Sequence, residues 1–478
     1  MVPAPRGRGS GLNCYNKTRN ALPMKIALIS PPAAKYSTKM RARPYHAFPI
    51  GLGYLAGYVR EAGHTVKILA PDPSGMEMAA VWKCLEEFKP DLVGISSVTQ
   101  TFLAAGELAE EAKRRLGCPV IMGGVHVTAL PRTSLQRFPA LDAVIRGEGE
   151  LPLKAIADGF DRTGKIDFSG VPAASFLKDG EYAENPMPEP IADLDTLPYF
   201  ARDLLEGGIY QGHTGADKPI PLMAILSSRG CPARCTFCAN SRMGRRFRAR
   251  SPQNFVGEIE HCLKTYGTKH FIVYDDCFTA DQKRVYAICD LLIEKKLGIT
   301  WETSARVNTL LDEELVLKMK RSGCKGLTIG VETGDQRISD LMKKGTTPAQ
   351  AELCAALLRK HRIPFSAGFM LGNEGDTMET ARGTIAFACR LKPTIAFFAI
   401  TIPMPGTELF EKFYKDYDRT DTDWARWTAQ GSSRPFESRH TVLPSRTLFL
   451  LLVWAHLRFY LNPLQFLRMA MDLVGTEN

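Results

Sequence analysis

Three cysteines stand close together in one short stretch of the chain, Cys231, Cys235 and Cys238. Gly230 and Pro232 flank the first of them and are typical of a loop. Three thiolates in one loop can bind three irons of a four-iron cluster and leave the fourth iron open, as a catalytic metal site requires. The bare pattern also fits a zinc site that lacks its fourth ligand, or three reduced cysteines that bind no metal.

Alternating strands and helices surround this loop. The strands are predicted at residues 221–226, 271–274, 300–304, 326–331, 365–371 and 395–402. The helices between them are predicted at residues 255–266, 282–295, 313–320, 348–362 and 378–391. Six such units indicate a partial (β/α)6 barrel over residues 221–402, with the cysteine loop after its first strand. In parallel barrels the chemistry lies at the carboxyl ends of the strands.

The first part of the chain, residues 24–160, shows the same alternation. Strands are predicted at residues 26–29, 66–69, 92–96, 120–122 and 143–145, and helices at 51–62, 76–88 and 103–116. This order predicts an α/β fold with a doubly wound parallel sheet, whose ligands lie beyond the carboxyl ends of the strands. Polar and glycine-rich stretches fall at those ends: Ser96-Ser97-Val98-Thr99, Gly123-Gly124-Val125-His126 and Gly147-Glu148-Gly149.

The remaining segments carry weaker signals. Residues 1–23 lack acidic and core residues and are predicted to be disordered. Residues 161–220 form a connector with a hairpin at 173–184 and a short helix at 199–205. Residues 403–478 form a small, mostly helical region, in which Trp424 and Trp427 line a substrate pocket or pack a cap. Its apolar stretch at 447–457 is expected to be a core helix, with contact to a membrane surface as the alternative.

Composition limits the possible classes of protein. The 478 residues are 45% hydrophobic and 23% charged, which is ordinary for a globular protein of two or three domains. Twelve cysteines without a signal peptide favour a reducing compartment, the cytoplasm. The net charge is +10, but no helix-turn-helix or RNA-recognition signature points to nucleic acid. Part of the charge follows the cysteine loop and forms either an anion site or a solvated face: Arg242, Arg245, Arg246, Arg248 and Arg250.

The cysteine loop, with Phe237 directly before its third cysteine, resembles that of the radical S-adenosylmethionine (SAM) superfamily. The resemblance implies that the open iron of a [4Fe-4S] cluster binds SAM and that an electron cleaves SAM to a 5′-deoxyadenosyl radical. Cys231, Cys235 and Cys238 match the ligand positions. The resemblance further implies that the following residues contact SAM or line its cleft: Phe237, Asp276, Ser304, Arg306, Gly330, Glu332 and Gly368.

Residues 24–160 resemble the cobalamin-binding domain of cobalamin-dependent radical SAM enzymes. The resemblance rests on Pro49-Ile50-Gly51-Leu52-Gly53-Tyr54-Leu55-Ala56 and on the three polar strand ends, with Gly147-Glu148-Gly149 extended by Glu150. The Asp-x-His-x-x-Gly motif that supplies a lower cobalt ligand in many such domains is missing, so that ligand stays open. The cobalamin contacts that the resemblance implies are Ser96, Ser97, Thr99, Gly123, Gly124, His126 and Glu148, although a structural role for His126 is an equal alternative.

The family implies a carbon methyltransferase that uses both cofactors, with an electron donor such as flavodoxin or ferredoxin. Its substrate is expected to be a small molecule, and the apolar carboxyl terminus favours an apolar one. Three alternatives stay open. The first is radical cyclisation or rearrangement without methyl transfer, the second is a radical SAM enzyme without cobalamin, and the third is a non-catalytic protein that binds a metal or nucleic acid.

Overall fold

The computed structural model describes residues 23–32, 49–205, 211–213, 219–240, 244–417, 422–427 and 438–474. The segment predicted to be disordered, residues 1–23, lies almost entirely outside this part, as does Arg242 of the arginine-rich stretch. Two seven-stranded sheets organise the described residues, one in each half of the chain.

The first sheet has the spatial order β2-β1-β3-β4-β5-β6-β7. Its strands are β1 (Lys25–Ile29), β2 (Thr65–Leu69), β3 (Leu92–Ser96), β4 (Val120–Gly123), β5 (Ala143–Ile145), β6 (Ala174–Lys178) and β7 (Glu181–Glu184). Strands β1 to β5 are parallel, so the predicted doubly wound parallel sheet is confirmed, and its strand order is flavodoxin-like. The hairpin β6–β7 pairs antiparallel with β5, so the sheet continues beyond residue 160 into the predicted connector.

Helices cover both faces of this sheet and bury two separate apolar clusters. They are α1 (Ile50–Glu61), α2 (Pro71–Ser74), α3 (Met78–Phe88), α4 (Phe102–Leu116), α5 (Val125–Ala129), α6 (Pro131–Arg137) and α7 (Glu150–Thr163). The short helix predicted at residues 199–205 is only a single 3-10 turn, Arg202–Leu204.

The second sheet runs β8-β9-β12-β13-β14-β15-β16 from edge to edge. Its strands, with a small separate ribbon β10–β11, are β8 (Gln211–His213), β9 (Pro219–Ile225), β10 (Ser228–Arg229), β11 (Arg248–Ala249), β12 (His270–Val273), β13 (Thr300–Arg306), β14 (Cys324–Glu332), β15 (Phe365–Leu371) and β16 (Ile395–Ile400). Six strands, β9 and β12 to β16, are parallel and consecutive, as the partial (β/α)6 barrel requires.

The barrel helices are α8 (Pro252–Tyr266), α9 (Gln282–Lys295), α10 (Glu313–Arg321), α11 (Gln336–Leu341), α12 (Pro348–Lys360) and α13 (Met378–Leu391). Side chains of the strands alternate between this outer layer and the barrel lumen. In β15, for example, Phe365, Ala367, Phe369 and Leu371 are buried against the helices, whereas Gly368 lies on the lumen side. The lumen face is therefore the one that offers its side chains to a ligand.

The carboxyl-terminal region divides between the two halves of the molecule. Helix α14 (Glu408–Phe413) and residues 422–427 return to the first sheet, where Phe410, Trp424 and Trp427 join the cluster that contains Phe102. The two tryptophans therefore pack a cap, one of the two predicted roles. Helix α15 (Ser445–Tyr460) packs against β16 at the open edge of the barrel, and α16 (Pro463–Val474) packs on α15 and donates a hydrogen bond from Gln465 to the carbonyl oxygen of Pro393.

No described helix is by itself long and apolar enough to cross a membrane. The pair Ser445–Tyr460 and Pro463–Met469 passes that test only jointly, and the two helices are bent by 72° at their junction.

Candidate active site between the two sheets

The cysteine loop leaves the barrel at the carboxyl end of β9, where the sequence predicts it. Cys231 is buried, and Cys235 and Cys238 are partly exposed. Gly230 has φ +84°, and a Cβ atom there would lie 2.5 Å from the carbonyl oxygen of Arg246. Only glycine tolerates both that backbone conformation and that approach. The loop is thus held against the ribbon strand β11 immediately before its first cysteine.

Asp275, at the end of β12, fixes the residues that lead into the loop. Its carboxylate accepts hydrogen bonds from the backbone nitrogens of Ser227 and Ser228 at 2.7 and 3.1 Å and from their hydroxyls at 2.5 and 2.6 Å. Arg284 approaches the same carboxylate at 3.7 Å. Asp276 accepts from the backbone nitrogen of Gly230 at 2.9 Å, and burial raises the pKa of Asp276. These two acids therefore position the cysteine loop.

The sulfurs of the loop have polar neighbours. Nη1 of Arg306 donates to Sγ of Cys235 at 3.5 Å. The thiol of Cys277 hydrogen-bonds the Cys231 sulfur and holds the pKa of Cys231 below its usual range, whereas burial raises the pKa of Cys238. A lower pKa favours the thiolate, which is the form that binds metals.

Within the described residues, no three His, Cys, Asp or Glu side chains converge as ligands of a single ion. Each cysteine of a four-iron cluster binds a different iron, so its ligands need not converge on one point. Three cysteines in one loop, with a cation and a thiol donor beside them, fit such a cluster better than a single zinc ion.

A second group of predicted residues meets around Lys344, a residue that no sequence motif indicates. Nζ of Lys344 lies 2.7 Å from Oε1 of Glu332 and 5.9 Å from the centre of the Phe237 ring, and its carbonyl accepts a hydrogen bond from Arg306. Glu332 has φ +69°, at a bulge where β14 meets β15. Lys344 thereby links the cysteine loop to the ends of β13 and β14.

Glycines on β14 and β15 leave space for the ion pair of Glu332 and Lys344. A Cβ atom at Gly330 would lie 2.4 Å from Oε1 of Glu332 and 2.8 Å from Nζ of Lys344. Gly368 is the register partner of Gly330 on β15. Ser304 lies on the lumen side of β13, one alternation before Arg306. Ser304, Arg306, Gly330, Glu332 and Gly368 therefore lie on neighbouring strands, β13 to β15, towards their carboxyl ends.

A cavity of about 350 Å³ lies between the barrel mouth and the carboxyl ends of the first sheet. Ser96, Gly123, Gly124 and Glu148 line it from the first sheet. The barrel contributes Ser228, Arg229, Gly230, Asn240 and Asp276. Both halves of the molecule thus face one shared space. It lies beside the topological switch point of the first sheet, which falls between β1 and β3.

Three predicted contacts of the first sheet do not line this cavity. His126 is buried under the loop, its ring stacks on Phe102 with centroids 4.0 Å apart, and its Nδ1 lies 3.3 Å from Oγ1 of Thr99. Burial lowers the pKa of His126 to about 3. Ser97 is also buried, beneath the backbone of Gly124. His126, Thr99 and Ser97 thus lie outside the cavity lining, which for His126 favours the structural alternative, and no histidine is among the described residues that line the cavity.

Ion pairs join the two halves beside the cavity. Nη1 of Arg229 lies 3.3 Å from Oε2 of Glu148, and its Nη2 lies 2.6 Å from Oε1 of Glu150. Arg248 also forms an ion pair with Glu148. Burial alone would lower the pKa of Arg229, but Glu150 and Glu148 outweigh burial and raise it. Glu148, predicted as a cofactor contact, therefore holds the strand end of the first sheet against the residues that precede Cys231.

Glu258, Arg202 and Arg250 form a buried triad of charged side chains. Glu258 of α8 contacts Arg202 at 2.7 Å and also pairs with Arg250, and the three side chains are no more than 5% exposed. The hydroxyl of Tyr54, from α1 of the first sheet, donates to Glu258 at 3.3 Å. Two of the five arginines after the cysteine loop thus form structural ion pairs: Arg248 pairs with Glu148 of the first sheet, and Arg250 pairs with Glu258 within the barrel.

Two protein-family models match the chain. The radical SAM superfamily matches residues 225–388, and the B12 binding domain matches residues 39–157. These ranges correspond to the barrel and to the first sheet.

Known proteins match most of the chain. It is 32% identical over 442 residues to an uncharacterized methyltransferase of Pyrococcus horikoshii, covering 92% of this chain and 93% of the relative. It is 29% identical over 373 residues to the anaerobic magnesium-protoporphyrin IX monomethyl ester cyclase of Rubrivivax gelatinosus, covering 76% and 66% of the two chains. The fold resembles the radical SAM methyltransferase TsrM of Kitasatospora setae, with a TM-score of 0.67, 19% identity, and 83% and 75% of the chains covered.

Proposed function

The chain belongs to the cobalamin-dependent radical SAM enzymes, and from that membership we propose that it methylates an unreactive carbon of a small-molecule or lipid-like substrate. The observation that carries the proposal is the single cavity lined both by the strand ends of the B12 binding domain and by the residues beside the cysteine loop. Two cofactors held on the two sides of one cavity can act on one substrate.

We propose the domain and residue assignments that follow from this arrangement. Residues 24–160, extended by the hairpin to Glu184, hold cobalamin through the loops at Ser96, Gly123 and Gly124. Residues 221–402 hold the cluster through Cys231, Cys235 and Cys238. Phe237, Ser304, Gly330, Glu332 and Gly368 form the SAM cleft.

When bound, the cluster supplies the electron that cleaves SAM, and cobalamin supplies the methyl group that reaches the substrate. The chain's own residues position these groups. Asp275 and Asp276 fix the approach to the cysteine loop, and Arg306 holds Cys235 close to the Glu332–Lys344 pair. The ion pairs of Glu148 and Glu150 with Arg229 hold the two binding surfaces against each other. The apolar part of the cavity wall, with Leu28, Ile95 and Ile145, limits the access of water.

The partners also belong to the proposal. Arg234, Arg245 and Arg246 are exposed beside the cysteine loop, which supports docking of an acidic electron donor such as flavodoxin or ferredoxin. Phe397, 53% exposed on the lumen side of β16, supports a substrate with an apolar part. The twelve cysteines of the sequence support a reducing compartment such as the cytoplasm.

Quantifying the two products of SAM tests the proposal. The protein is reconstituted anaerobically with iron, sulfide and cobalamin, given reductant, SAM and candidate substrates, and analysed by mass spectrometry. We expect 5′-deoxyadenosine and S-adenosylhomocysteine to rise together with a methylated product. If a substrate is turned over to product with 5′-deoxyadenosine but without S-adenosylhomocysteine, methyl transfer is wrong. The cyclase relative favours oxidative cyclisation in that case.

Replacing Gly124 by alanine is expected to weaken cobalamin binding and to leave the cluster intact. Gly124 has φ +105°, and an added Cβ atom would lie 2.3 Å from the carbonyl oxygen of Ser97. Because only glycine adopts this conformation readily, the loop must move, at a cost of about 1–3 kcal/mol, or about fivefold to 150-fold in affinity. Titration followed by visible absorbance measures the binding, and iron content reports the integrity of the barrel.

Gly159→Ala is the matched control for that substitution. Its Cβ atom would come no closer than 4.0 Å to another residue, in the regular helix α7. We expect unchanged binding of cobalamin by this variant. Equal affinities for the Gly124→Ala variant and the wild-type protein would show that cobalamin binds elsewhere.

A further inference from the structure

The exposed apolar side chains of this protein are concentrated in one place. Sixteen large hydrophobic side chains of the described residues are exposed, and nine of them lie between Val442 and Leu467. Leu464 is 74% exposed, and Leu450 and Leu457 are 59% and 50% exposed. Scattered exposed apolar residues need no explanation, but a cluster of this kind marks a surface that another molecule covers.

This apolar surface follows the geometry of a helix. Phe449, Leu450, Val453 and Leu457 recur at helical spacing along one side of α15. The opposite side of α15, which includes Leu448, Leu452 and Phe459, is buried in the barrel core. Both sides of the helix are thus apolar, although only one of them packs inside the protein.

Hydrogen bonds fix the two helices to the barrel. The hydroxyl of Tyr460 donates to the carbonyl oxygen of Ala396 at 3.0 Å, and Nε2 of Gln465 donates to that of Pro393 at 2.6 Å. Because the inner side of α15 belongs to the core, the helices cannot leave the barrel to span a bilayer. Their outer side can only rest on a surface.

The charge along the two helices is mainly positive. Helix α15 contains two arginines, Arg446 and Arg458, and no acidic residue, and α16 contains Arg468 and one acidic residue, Asp472. Arg446 and Arg458 are exposed at the two ends of the apolar side of α15. An apolar surface with cationic residues at its edge is complementary to a bilayer that contains anionic lipid, since apolar side chains enter the acyl boundary and arginines meet the headgroups.

We propose that the outer side of α15 and α16 binds the surface of a membrane that contains anionic lipid. This function goes beyond methyl transfer and does not depend on either cofactor. The contact also lies close to the candidate active site, because a Cβ atom at Gly372, just after β15, would meet Leu448 at 2.7 Å. The amino end of α15 thus stands at the barrel mouth, where a lipid-soluble substrate reaches the protein from the bilayer.

Vesicle flotation with the full-length protein tests the proposal. Vesicles of equal parts phosphatidylglycerol and phosphatidylcholine are compared with vesicles of phosphatidylcholine alone. We expect the protein to float with the anionic vesicles, less so at high salt, and weakly with the neutral ones. The double variant Leu450→Gln, Leu457→Gln is expected to need roughly tenfold or more lipid for half-maximal binding, because two apolar side chains no longer enter the bilayer. Arg446→Gln should weaken binding to anionic vesicles only.

Leu353→Gln is the control, because Leu353 is 49% exposed on α12, outside this surface. It should bind lipid as the wild-type protein does, and circular dichroism and SAM cleavage should be unchanged in all variants. The proposal would be overturned if the wild-type protein did not bind anionic vesicles, or if the double variant bound them as well as the wild-type protein does. A dimer in sedimentation velocity that the double variant lacks, without binding to vesicles, would assign the surface to a second copy of the chain instead.

Discussion

The Cys235→Ala variant is expected to lose its iron–sulfur cluster and with it the cleavage of SAM. Cys235 is the middle cysteine of the loop, and Arg306 donates to its sulfur. Two remaining thiolates cannot hold a four-iron cluster of which three irons need protein ligands. We expect the rate of 5′-deoxyadenosine formation to fall by more than roughly a thousandfold, or about 4 kcal/mol in activation free energy. Iron and sulfide content, electron paramagnetic resonance and product analysis measure the loss.

Cys118→Ala is the control for this experiment. Cys118 is a buried free thiol in the first half of the chain, before β4, and lines neither the cavity nor the cysteine loop. Its replacement should preserve iron content and SAM cleavage. A Cys235→Ala variant that keeps the wild-type iron content would refute the ligand assignment, and zinc in place of iron in the wild-type protein would refute the cluster itself.

Local signals explain why so much of the fold follows from the sequence. Helices α9 and α13 have the predicted bounds, Gln282–Lys295 and Met378–Leu391. The side chain of Asp281 caps the first of them, and Thr377 forms a capping box with Thr380 at the start of the second. Caps, apolar periodicity and the strand–helix alternation are all properties of neighbouring residues, so they can be predicted from one sequence.

Pairs that are distant in the chain could not be predicted in the same way. Arg248 and Glu148 are 100 residues apart, and nothing in the neighbourhood of either one indicates the other. Lys344 meets Glu332 because α11 returns the chain to the barrel mouth, and a lysine before a glycine does not predict that contact. These contacts exist only once the sheets have assembled.

Burial separates three of the predicted cofactor contacts in the first sheet, Ser97, Thr99 and His126, from the four that line the cavity. A glycine pair followed by a histidine at a strand end marks a ligand loop, but the motif does not tell which side chains face the ligand. Because α5 begins immediately after Gly124, the side chain of His126 turns inward onto Phe102 and Trp424. The glycines of the loop face the cavity, and the histidine supports the loop from below.

The Glu258→Gln variant is expected to lose about 3–5 kcal/mol of unfolding free energy, because it leaves two arginines buried without a counter-charge. Burial on its own would raise the pKa of Glu258, but the Arg202 and Arg250 guanidiniums outweigh burial and hold that pKa below its usual range. Tyr54 of the first half donates a hydrogen bond to the same carboxylate. The variant should therefore also weaken the contact between the two halves that enclose the shared cavity. Urea unfolding followed by circular dichroism measures the loss.

The pH dependence of the wild-type protein gives a second, independent measurement of the triad. A carboxylate whose pKa is lowered by folding stabilises the native state fully above its unfolded pKa of about 4.3, and this contribution disappears as the pH falls through the lower folded-state pKa. The difference between wild type and Glu258→Gln should therefore be constant near neutral pH and shrink in acid. Glu260→Gln is the control on the same helix, because Glu260 and its partner Lys295 are 40% and 39% exposed and their pair contributes at most about 1 kcal/mol. If both glutamine variants were equally stable, the triad would not stabilise the fold as expected.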